Sequence, residues 1–272
     1  MKSLWNDAEA AKFDGPLGLR VYTSRLLGRD KSLVLHGGGN TSVKMAERNL
    51  FGENDAILYV KGSGWDLETI EAAGFAPVKL DYVRRLASLS ALSDPQMVNE
   101  LATHSLRAGA PAPSVETILH AILPHKYVDH THADAVLSVS NAPDGDKRMR
   151  DIYGDRVVVI PYVMAGFDLA SYCASEFPKQ AHQGTIGMIL LSHGVFSFAA
   201  EARESYELMI ELVSMAERYL EGKKAWSTGL PPVAVPEFKR EEVARLRHEV
   251  SKAAGFPLLC RCSPTPRFLG FA

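Results

Sequence analysis

The sequence VDHTHADAV, residues 128–136, places two histidines two positions apart within an apolar run that is typical of a β-strand. Side chains at positions i and i+2 of a strand point to the same face, so His130 and His132 could bind a single ion. A third histidine, His193, follows another apolar run, and Glu116 opens a helical pattern upstream. Three imidazoles and one carboxylate predict a catalytic metal site with one exchangeable position.

Zinc is the metal that this set of side chains favours. Three neutral imidazoles without a thiolate leave the charge of the ion uncompensated, so bound oxygen is strongly acidified. The ligand type leaves manganese, iron and cobalt open. Glu116 could ligate the metal at rest and then swing away to remove a proton. His120, one helical turn after Glu116, offers a rival metal-binding pair, which we rank below His130 and His132 because Glu116 is more useful as a base.

The composition limits the class of protein. The 272 residues are 46% hydrophobic, enough for a large core, and 30 basic against 32 acidic residues give a formal net charge of −2. No basic run is interleaved with aromatic residues, so we expect no nucleic-acid partner. No apolar run reaches the roughly 18 residues of a membrane span, and the N-terminus does not resemble a signal peptide. Three cysteines, an odd number, suit a reducing compartment, so we expect a soluble, cytoplasmic protein.

Hydrophobic patterning predicts an α/β chain. We expect a main domain over residues 1–222 and a C-terminal extension over residues 223–272, because the composition becomes loop-like after Gly222. Ser114 is expected to cap a helix with Glu116 in its first turn, where the helix dipole favours a carboxylate whatever its function. These patterns by themselves favour a parallel, doubly wound sheet. Strands are predicted at residues 31–35, 56–60, 77–80, 127–132, 135–139, 157–160 and 186–191, with the longest helix at 201–220.

Three short segments are rich in hydrogen-bond donors: HGGGNTS at residues 36–42, KGSG at residues 61–64, and Ser114. The first fails both nucleotide fingerprints, because G-x-G-x-x-G would need a glycine at position 42 and G-x-x-x-x-G-K-[ST] is absent. Each segment could be an ordinary tight turn. Together, their backbone N–H and hydroxyl groups could bind one phosphate of a small substrate.

The order of these motifs resembles that of the class II aldolase/adducin family. The motifs G-G-G-N-x-S, K-G-S-G, P-S-x-E, H-T-H and S-H-G follow one another between about residues 20 and 222. Residues 22–28 and 126–134 resemble one branch, the aldolase half of proteins that join a rhamnulose-phosphate aldolase to an alcohol dehydrogenase. The resemblance implies a three-layer α/β/α fold with a central, mainly antiparallel sheet, assembled as a homotetramer.

The resemblance also implies a role for each motif residue. The family draws a proton-donating tyrosine from a neighbouring subunit, and Tyr153 lies roughly where that tyrosine would fall. Many sugar-phosphate aldolases carry a second serine where this chain has Val115, which leaves open whether the substrate is phosphorylated. The implied zinc ligands are His130, His132 and His193, the implied base is Glu116, and the implied phosphate-binding residues are Gly39, Asn40, Ser63, Gly64 and Ser114.

The function expected from this resemblance is that of a zinc-dependent lyase. It would cleave a ketose 1-phosphate, such as rhamnulose or fuculose phosphate, into dihydroxyacetone phosphate and an aldehyde through an enediolate. A sugar-phosphate 4-epimerase or a decarboxylase could use the same residues, and a metal-dependent hydrolase would use a metal-bound water instead. A non-catalytic, adducin-like interaction module is disfavoured, because such modules lose the metal histidines and all three are present here.

Overall fold

The structure, a computed structural model, describes residues 1–226 and 239–261. The chain divides into two units, Met1–Lys223 and Lys224–Ala272. The first unit contains every strand found among the described residues, and the second contains the helix Arg240–Ala254. No helix in the described ranges is both long enough and apolar enough to cross a membrane.

One mixed sheet organises the first unit. Its spatial order is β3-β2-β1-β4-β7-β6-β5, and each neighbouring pair is antiparallel except β5 and β6, which are parallel. The expected mainly antiparallel sheet is confirmed, and the parallel, doubly wound sheet favoured by the residue pattern alone is wrong. The seven strands of the described residues are β1 (Asn40–Arg48), β2 (Asn54–Lys61), β3 (Phe75–Lys79), β4 (Tyr127–Thr131), β5 (Val157–Ile160), β6 (Gly187–Leu190) and β7 (Gly194–Ala199).

Helices cover both faces of this sheet. Along β5, Val157 and Val159 join one hydrophobic cluster while Val158 and Ile160 join another, as the alternation of side chains on a strand requires. The three-layer α/β/α architecture is therefore confirmed. The helices are α1 (Asp7–Ala10), α2 (Gly15–Arg29), α3 (Leu80–Leu86), α4 (Asp94–Thr103), α5 (Thr117–Ile122), α6 (Asp134–Ser140), α7 (Gly145–Tyr153), α8 (Phe167–Gln180), α9 (Ala202–Gly222) and α10 (Arg240–Ala254).

Two predicted strands are wrong. Residues 135–139 belong to helix α6, whose buried Ala135, Val136 and Val139 follow helical spacing, since a short apolar run does not by itself fix the period. Residues 31–33 form a turn and residues 34–35 are irregular, and the Leu33 carbonyl accepts the N–H of His132 at 3.1 Å. This segment therefore supports the end of β4 without forming a strand.

The helix after Ser114 begins later than the sequence predicts. The Ser114 carbonyl accepts the Thr117 N–H at 3.0 Å, which closes a turn over residues 114–117. Helix α5 starts at Thr117, with Glu116 at its N-cap position. Glu116 is therefore held at the end of a turn, immediately before the helix.

Candidate metal centre

The edge where β4 ends brings three histidines together. His130 lies in β4, His132 follows its last residue, and His193 lies in the turn between β6 and β7. Because β7 pairs antiparallel with β4, that turn lies beside the end of β4. One ring nitrogen from each histidine lies within 4.8 Å of the other two, and the Nε2 atoms of His130 and His132 are 3.0 Å apart. The three predicted ligands are thus close enough to share one ion.

The turn that carries His193 has an unusual backbone. Ser192 adopts a φ of 56°, in the left-handed region that L-residues avoid. A Cβ on Gly194 would lie 2.5 Å from the Thr131 carbonyl oxygen and 2.9 Å from the His130 ring. The glycine of the S-H-G motif is therefore needed for the close approach of this turn to β4.

The electronic state of His130 suits a metal ligand. Its Nδ1 lies 3.1 Å from the Val195 carbonyl oxygen, which can only accept, so Nδ1 carries the proton and Nε2 keeps its lone pair. Burial lowers the pKa of His130 to about 3, and burial together with the neighbouring His193 lowers the pKa of His132. Both imidazoles are neutral at pH 7, as metal binding requires.

Glu116, at the N-cap position immediately before α5, faces this cluster. Its Oε1 lies 3.0 Å from His193 Nε2, and its Oε2 lies 3.4 Å from His130 Nε2. Burial by itself raises the pKa of the Glu116 carboxyl, but the charge that His130 can carry, the charge and hydrogen bond that His193 can supply, and a hydrogen bond from Asn40 lower it overall. Oε1 is buried without a hydrogen-bond partner among the described residues. An orphaned carboxylate oxygen beside three imidazoles fits a divalent cation.

His120, the rival metal-binding residue, does not join the cluster. The ring is fully buried, with Nδ1 2.7 Å from Ser42 Oγ and Nε2 2.5 Å from Asn40 Oδ1. Asn40 Nδ2 in turn donates to Glu116 Oε2 at 2.5 Å and to Ser114 Oγ at 3.2 Å. Sequence reasoning missed this connection between His120 and Glu116, and only their spacing of one helical turn could have indicated it.

The three donor-rich segments meet beside the histidines. Lys61 Nζ donates to the Gly37 carbonyl at 2.8 Å. The backbones of the first two segments also lie close together, since a Cβ built on Gly37 would lie 3.7 Å from the Gly64 Cα. The Ser63 N–H donates to the Ala112 carbonyl at 2.8 Å, which ties the second segment to the residues before Ser114. Ser63 and Gly64 are exposed to solvent. Lys61, in the same segment, is buried, and burial lowers its pKa to about 8.

Gly39 and Ser114 occupy more enclosed positions. Gly39 is buried with a φ of 63°, and a Cβ there would lie 2.8 Å from the His130 carbonyl oxygen. Its lack of a side chain therefore allows β1 and β4 to approach each other. Ser114 is 8% exposed, whereas the next residue, Val115, is 48% exposed. Val115 thus presents an apolar side chain where the resemblance led us to expect a hydroxyl.

The structure does not support Tyr153 as a proton donor. Its side chain is buried in the hydrophobic core, its hydroxyl donates to the Leu212 carbonyl at 2.9 Å, and burial raises its pKa. A hydroxyl that is engaged inside its own subunit cannot reach the site of a neighbour. Tyr162, in the segment between β5 and α8, is 57% exposed and is the most exposed tyrosine of the described residues.

Comparisons with known proteins agree with this geometry. The chain matches the family described as Class II Aldolase and Adducin N-terminal domain over residues 19–220. It is 36% identical over 220 residues to the uncharacterized oxidoreductase YuxG of Bacillus subtilis (strain 168). That match covers 81% of this chain and 32% of YuxG, so the chain spans about a third of that relative.

Solved structures give the same result. The N-terminal class II aldolase domain of a conserved protein from Thermoplasma acidophilum is 40% identical, with a TM-score of 0.74 over 81% of this chain and 99% of that one. A sugar-phosphate aldolase from Thermotoga maritima shares the fold at 16% identity, with a TM-score of 0.55 over 77% of this chain and 96% of that one. This chain therefore belongs to the class II aldolase and adducin N-terminal domain family.

Proposed function

We propose that the chain is a zinc-dependent aldolase that cleaves a ketose 1-phosphate, of the rhamnulose or fuculose type, into dihydroxyacetone phosphate and an aldehyde. The observation that carries this proposal is the buried Glu116 carboxylate, which faces His130 and His193 at 3.4 and 3.0 Å. A general base beside a cation site suits proton transfer next to a carbonyl group. Oε1 has no hydrogen bond of good geometry among the described residues, which leaves its lone pairs available to a cation.

The residues divide the chemistry between them. His130, His132 and His193 would hold the metal, which when bound supplies a Lewis acid for the negative charge that develops on the substrate carbonyl oxygen. Glu116 would remove the proton from the carbon next to that carbonyl during condensation and return it during cleavage. The hydrogen bond from Asn40 makes the Glu116 carboxylate a weaker base. The charge of a bound metal would therefore have to acidify the C–H bond next to the substrate carbonyl.

A phosphate subsite is supported by the meeting of the donor-rich segments. Ser63 and Gly64 are exposed beside Gly37, whose carbonyl binds the Lys61 ammonium at 2.8 Å. We propose that these groups, with Asn40, Gly39 and Ser114, bind the phosphate, Gly39 by shaping the loop. Val115 provides no hydroxyl, so Lys61 would carry most of the charge recognition.

We propose Tyr162 in place of Tyr153 as the proton donor supplied by a neighbouring copy in a homotetramer. Tyr162 and Met164 are 57% and 69% exposed in the same segment, and the Tyr162 hydroxyl donates to Met164 Sδ at 3.7 Å. An exposed phenol whose hydroxyl makes only a weak bond to a neighbouring thioether can enter the site of another subunit. Tyr162→Phe should therefore lower kcat and leave the fold intact, whereas Tyr153→Phe should mainly lower stability.

The proposal further includes a catalytic domain over residues 1–222, an extension over residues 223–272, and a reducing, cytoplasmic location. The buried Cys173 thiol is free, which agrees with a reducing compartment.

A retro-aldol screen tests the proposed function. Zinc-loaded protein is incubated with ketose 1-phosphates and with the matching free sugars, and the products are identified by mass. We expect dihydroxyacetone phosphate and an aldehyde from one phosphorylated sugar, and no product from His193→Ala protein. Isomerised sugar or released carbon dioxide would instead identify an epimerase or a decarboxylase. Protein that purifies without chelators and binds no transition metal would contradict the proposal as a whole.

A further inference from the structure

His120 lies one helical turn after Glu116 but is not part of the group formed by His130, His132 and His193. Burial lowers the pKa of His120 well below its ordinary value, so the ring is neutral. Its Nε2 lies 2.5 Å from Asn40 Oδ1 and its Nδ1 lies 2.7 Å from Ser42 Oγ. Asn40 and Ser42 are two positions apart on β1 and therefore share the face that packs against α5.

The protons in this chain of hydrogen bonds can be placed by elimination. An amide oxygen only accepts, so Nε2 of the neutral ring must be the protonated nitrogen that donates to Asn40 Oδ1. Nδ1 then holds a lone pair, and the Ser42 hydroxyl donates to it. The direction of donation runs from Ser42 through His120 to Asn40.

The orientation of the Asn40 amide follows from that donation. With Oδ1 directed at His120, the amide nitrogen faces the Glu116 carboxylate, where Nδ2 donates to Oε2 at 2.5 Å. The opposite orientation would set an amide oxygen against a buried carboxylate oxygen, two acceptors without a proton between them. Rotation of an amide about its last torsion is otherwise easy. The ring of His120 thus supplies, through Nε2–H, the donor that stabilises the amide orientation in which Nδ2 faces Glu116.

We propose that His120, supported by Ser42, is a positioning residue that fixes the Asn40 amide and through it holds the Glu116 carboxylate against His130 and His193. This inference deepens the proposed function and rests on it, because Glu116 is there the base. Asn40 is the amide donor to Glu116, from Nδ2 to Oε2, while Oε1 of the same carboxylate lies 3.0 Å from His193 Nε2. Without the relay, the carboxylate would sample positions from which it cannot reach the substrate carbon.

Two substitutions at position 120 test the relay in the zinc-loaded, full-length protein. His120→Leu removes both ring nitrogens at similar volume, whereas His120→Gln places an amide N–H near the position of Nε2. The measured reaction is the exchange of deuterium into dihydroxyacetone phosphate, with kcat and KM determined separately. We expect His120→Leu to lower kcat about 10- to 100-fold, the usual effect of losing a supporting hydrogen bond, with KM and bound zinc unchanged. His120→Gln should recover most of that loss.

The control is His125→Leu. His125 follows on the same segment and stacks on Phe198 at 4.4 Å between ring centroids, without contacting Asn40. Its loss should leave kcat unchanged. Equal losses of kcat in His120→Leu and His120→Gln, or full kcat in folded His120→Leu, would overturn the proposal.

A second readout does not depend on activity. Nitrogen NMR of histidine-labelled protein should show His120 protonated at Nε2 and unprotonated at Nδ1, and Ser42→Ala should weaken that preference. The opposite tautomer in the wild type would overturn the relay. Wild-type protein that binds zinc but exchanges no deuterium would contradict the proposed function, whereas the ring-nitrogen spectrum would still decide the direction of the relay.

Discussion

At the scale of single residues, the candidate site depends on the charge states of the Glu116 carboxylate and the buried His130 imidazole. Burial keeps His130 neutral by lowering its pKa to about 3, while Asn40 favours the ionised form of Glu116. An ionised base beside neutral nitrogen ligands is the combination that a cation can join without first displacing protons.

The first prediction concerns Glu116. Glu116→Gln should keep bound zinc, since the three histidines remain, but slow deuterium exchange into dihydroxyacetone phosphate by a factor of about 100 to 10,000, the usual contribution of a general base. Exchange rates from NMR and zinc content from elemental analysis provide the measurement. Exchange at the wild-type rate in zinc-loaded Glu116→Gln would assign the base to another group.

The second prediction concerns Lys61 and pH. Burial lowers the pKa of Lys61 from 10.5 to about 8. Its side chain is therefore a charged ammonium below pH 8 and a neutral amine above it. Competitive inhibition by inorganic phosphate should therefore weaken as pH rises beyond 8. If only protein with a protonated Lys61 binds phosphate, the inhibition constant should rise about tenfold for each further pH unit. Between pH 8 and 10.5 the unfolded chain keeps the Lys61 proton that the folded protein has released. The contribution of Lys61 to the free energy of unfolding therefore increases as pH rises through this range.

Lys61→Met is the matched control for this pH effect. It should weaken phosphate inhibition at pH 7 and remove its dependence on pH between 7.5 and 9.5. An inhibition constant of wild-type protein that stays constant over this range would show that Lys61 does not contact the anion.

At the scale of the structural elements, the turn between β6 and β7 determines where His193 lies. Ser192 adopts a φ of 56° in that turn, and Gly194 packs so closely against β4 that a Cβ would lie 2.5 Å from the Thr131 carbonyl oxygen. The turn thus combines backbone strain at one residue with a close backbone approach two residues later.

The third prediction separates these two effects. Ser192→Gly should raise the free energy of unfolding by up to about 1 kcal/mol, because glycine adopts the left-handed region without the strain of a side chain. Gly194→Ala should lower stability and zinc content together, because its methyl group would push His193 away from His130. Urea unfolding and zinc analysis measure the two outcomes. Stable, fully zinc-loaded Gly194→Ala would show that the contact with β4 can relax.

At the scale of the whole molecule, a buried ion pair joins the helical layer to the strand that carries His130. Arg20 of α2 and Asp129 of β4 are fully buried and form an ion pair, and Ser205 of α9 also donates to Asp129. Asp129 lies next to His130 on β4, and its side chain points to the opposite face. The pair therefore anchors β4 from behind the candidate metal centre.

The fourth prediction is that Asp129→Asn lowers the free energy of unfolding by about 3 to 5 kcal/mol, because it leaves the Arg20 charge buried without its partner. Arg150→Gln removes an exposed ion pair with Asp146 and should change stability by less than about 1 kcal/mol. Urea unfolding of the apoprotein measures both. A loss below 1 kcal/mol for Asp129→Asn would mean that water or another group compensates Arg20.

Only part of the candidate site could be predicted from the sequence. The H-x-H spacing and the apolar runs identified His130, His132 and His193, because strand periodicity and metal-ligand chemistry are local properties. The burial of Tyr153 could not be predicted because it depends on packing, and residues 135–139 were wrongly predicted as a strand because a short apolar run has no unique period. Whether neighbouring strands run parallel or antiparallel could not be predicted from residue patterns either, since hydrophobic alternation does not specify which strands pair.

The sequence by itself determined which chemical groups this protein has and their order along the chain: three imidazoles, a carboxylate and loops rich in glycine, serine and lysine. The tertiary structure alone decided how those groups are connected. Asn40 bonds to Glu116 across 76 positions and to His120 across 80, and Tyr153 is bonded inside the core. Hydrogen-bond direction and burial arise when distant segments pack, and a local pattern contains no information about the segment that will face it.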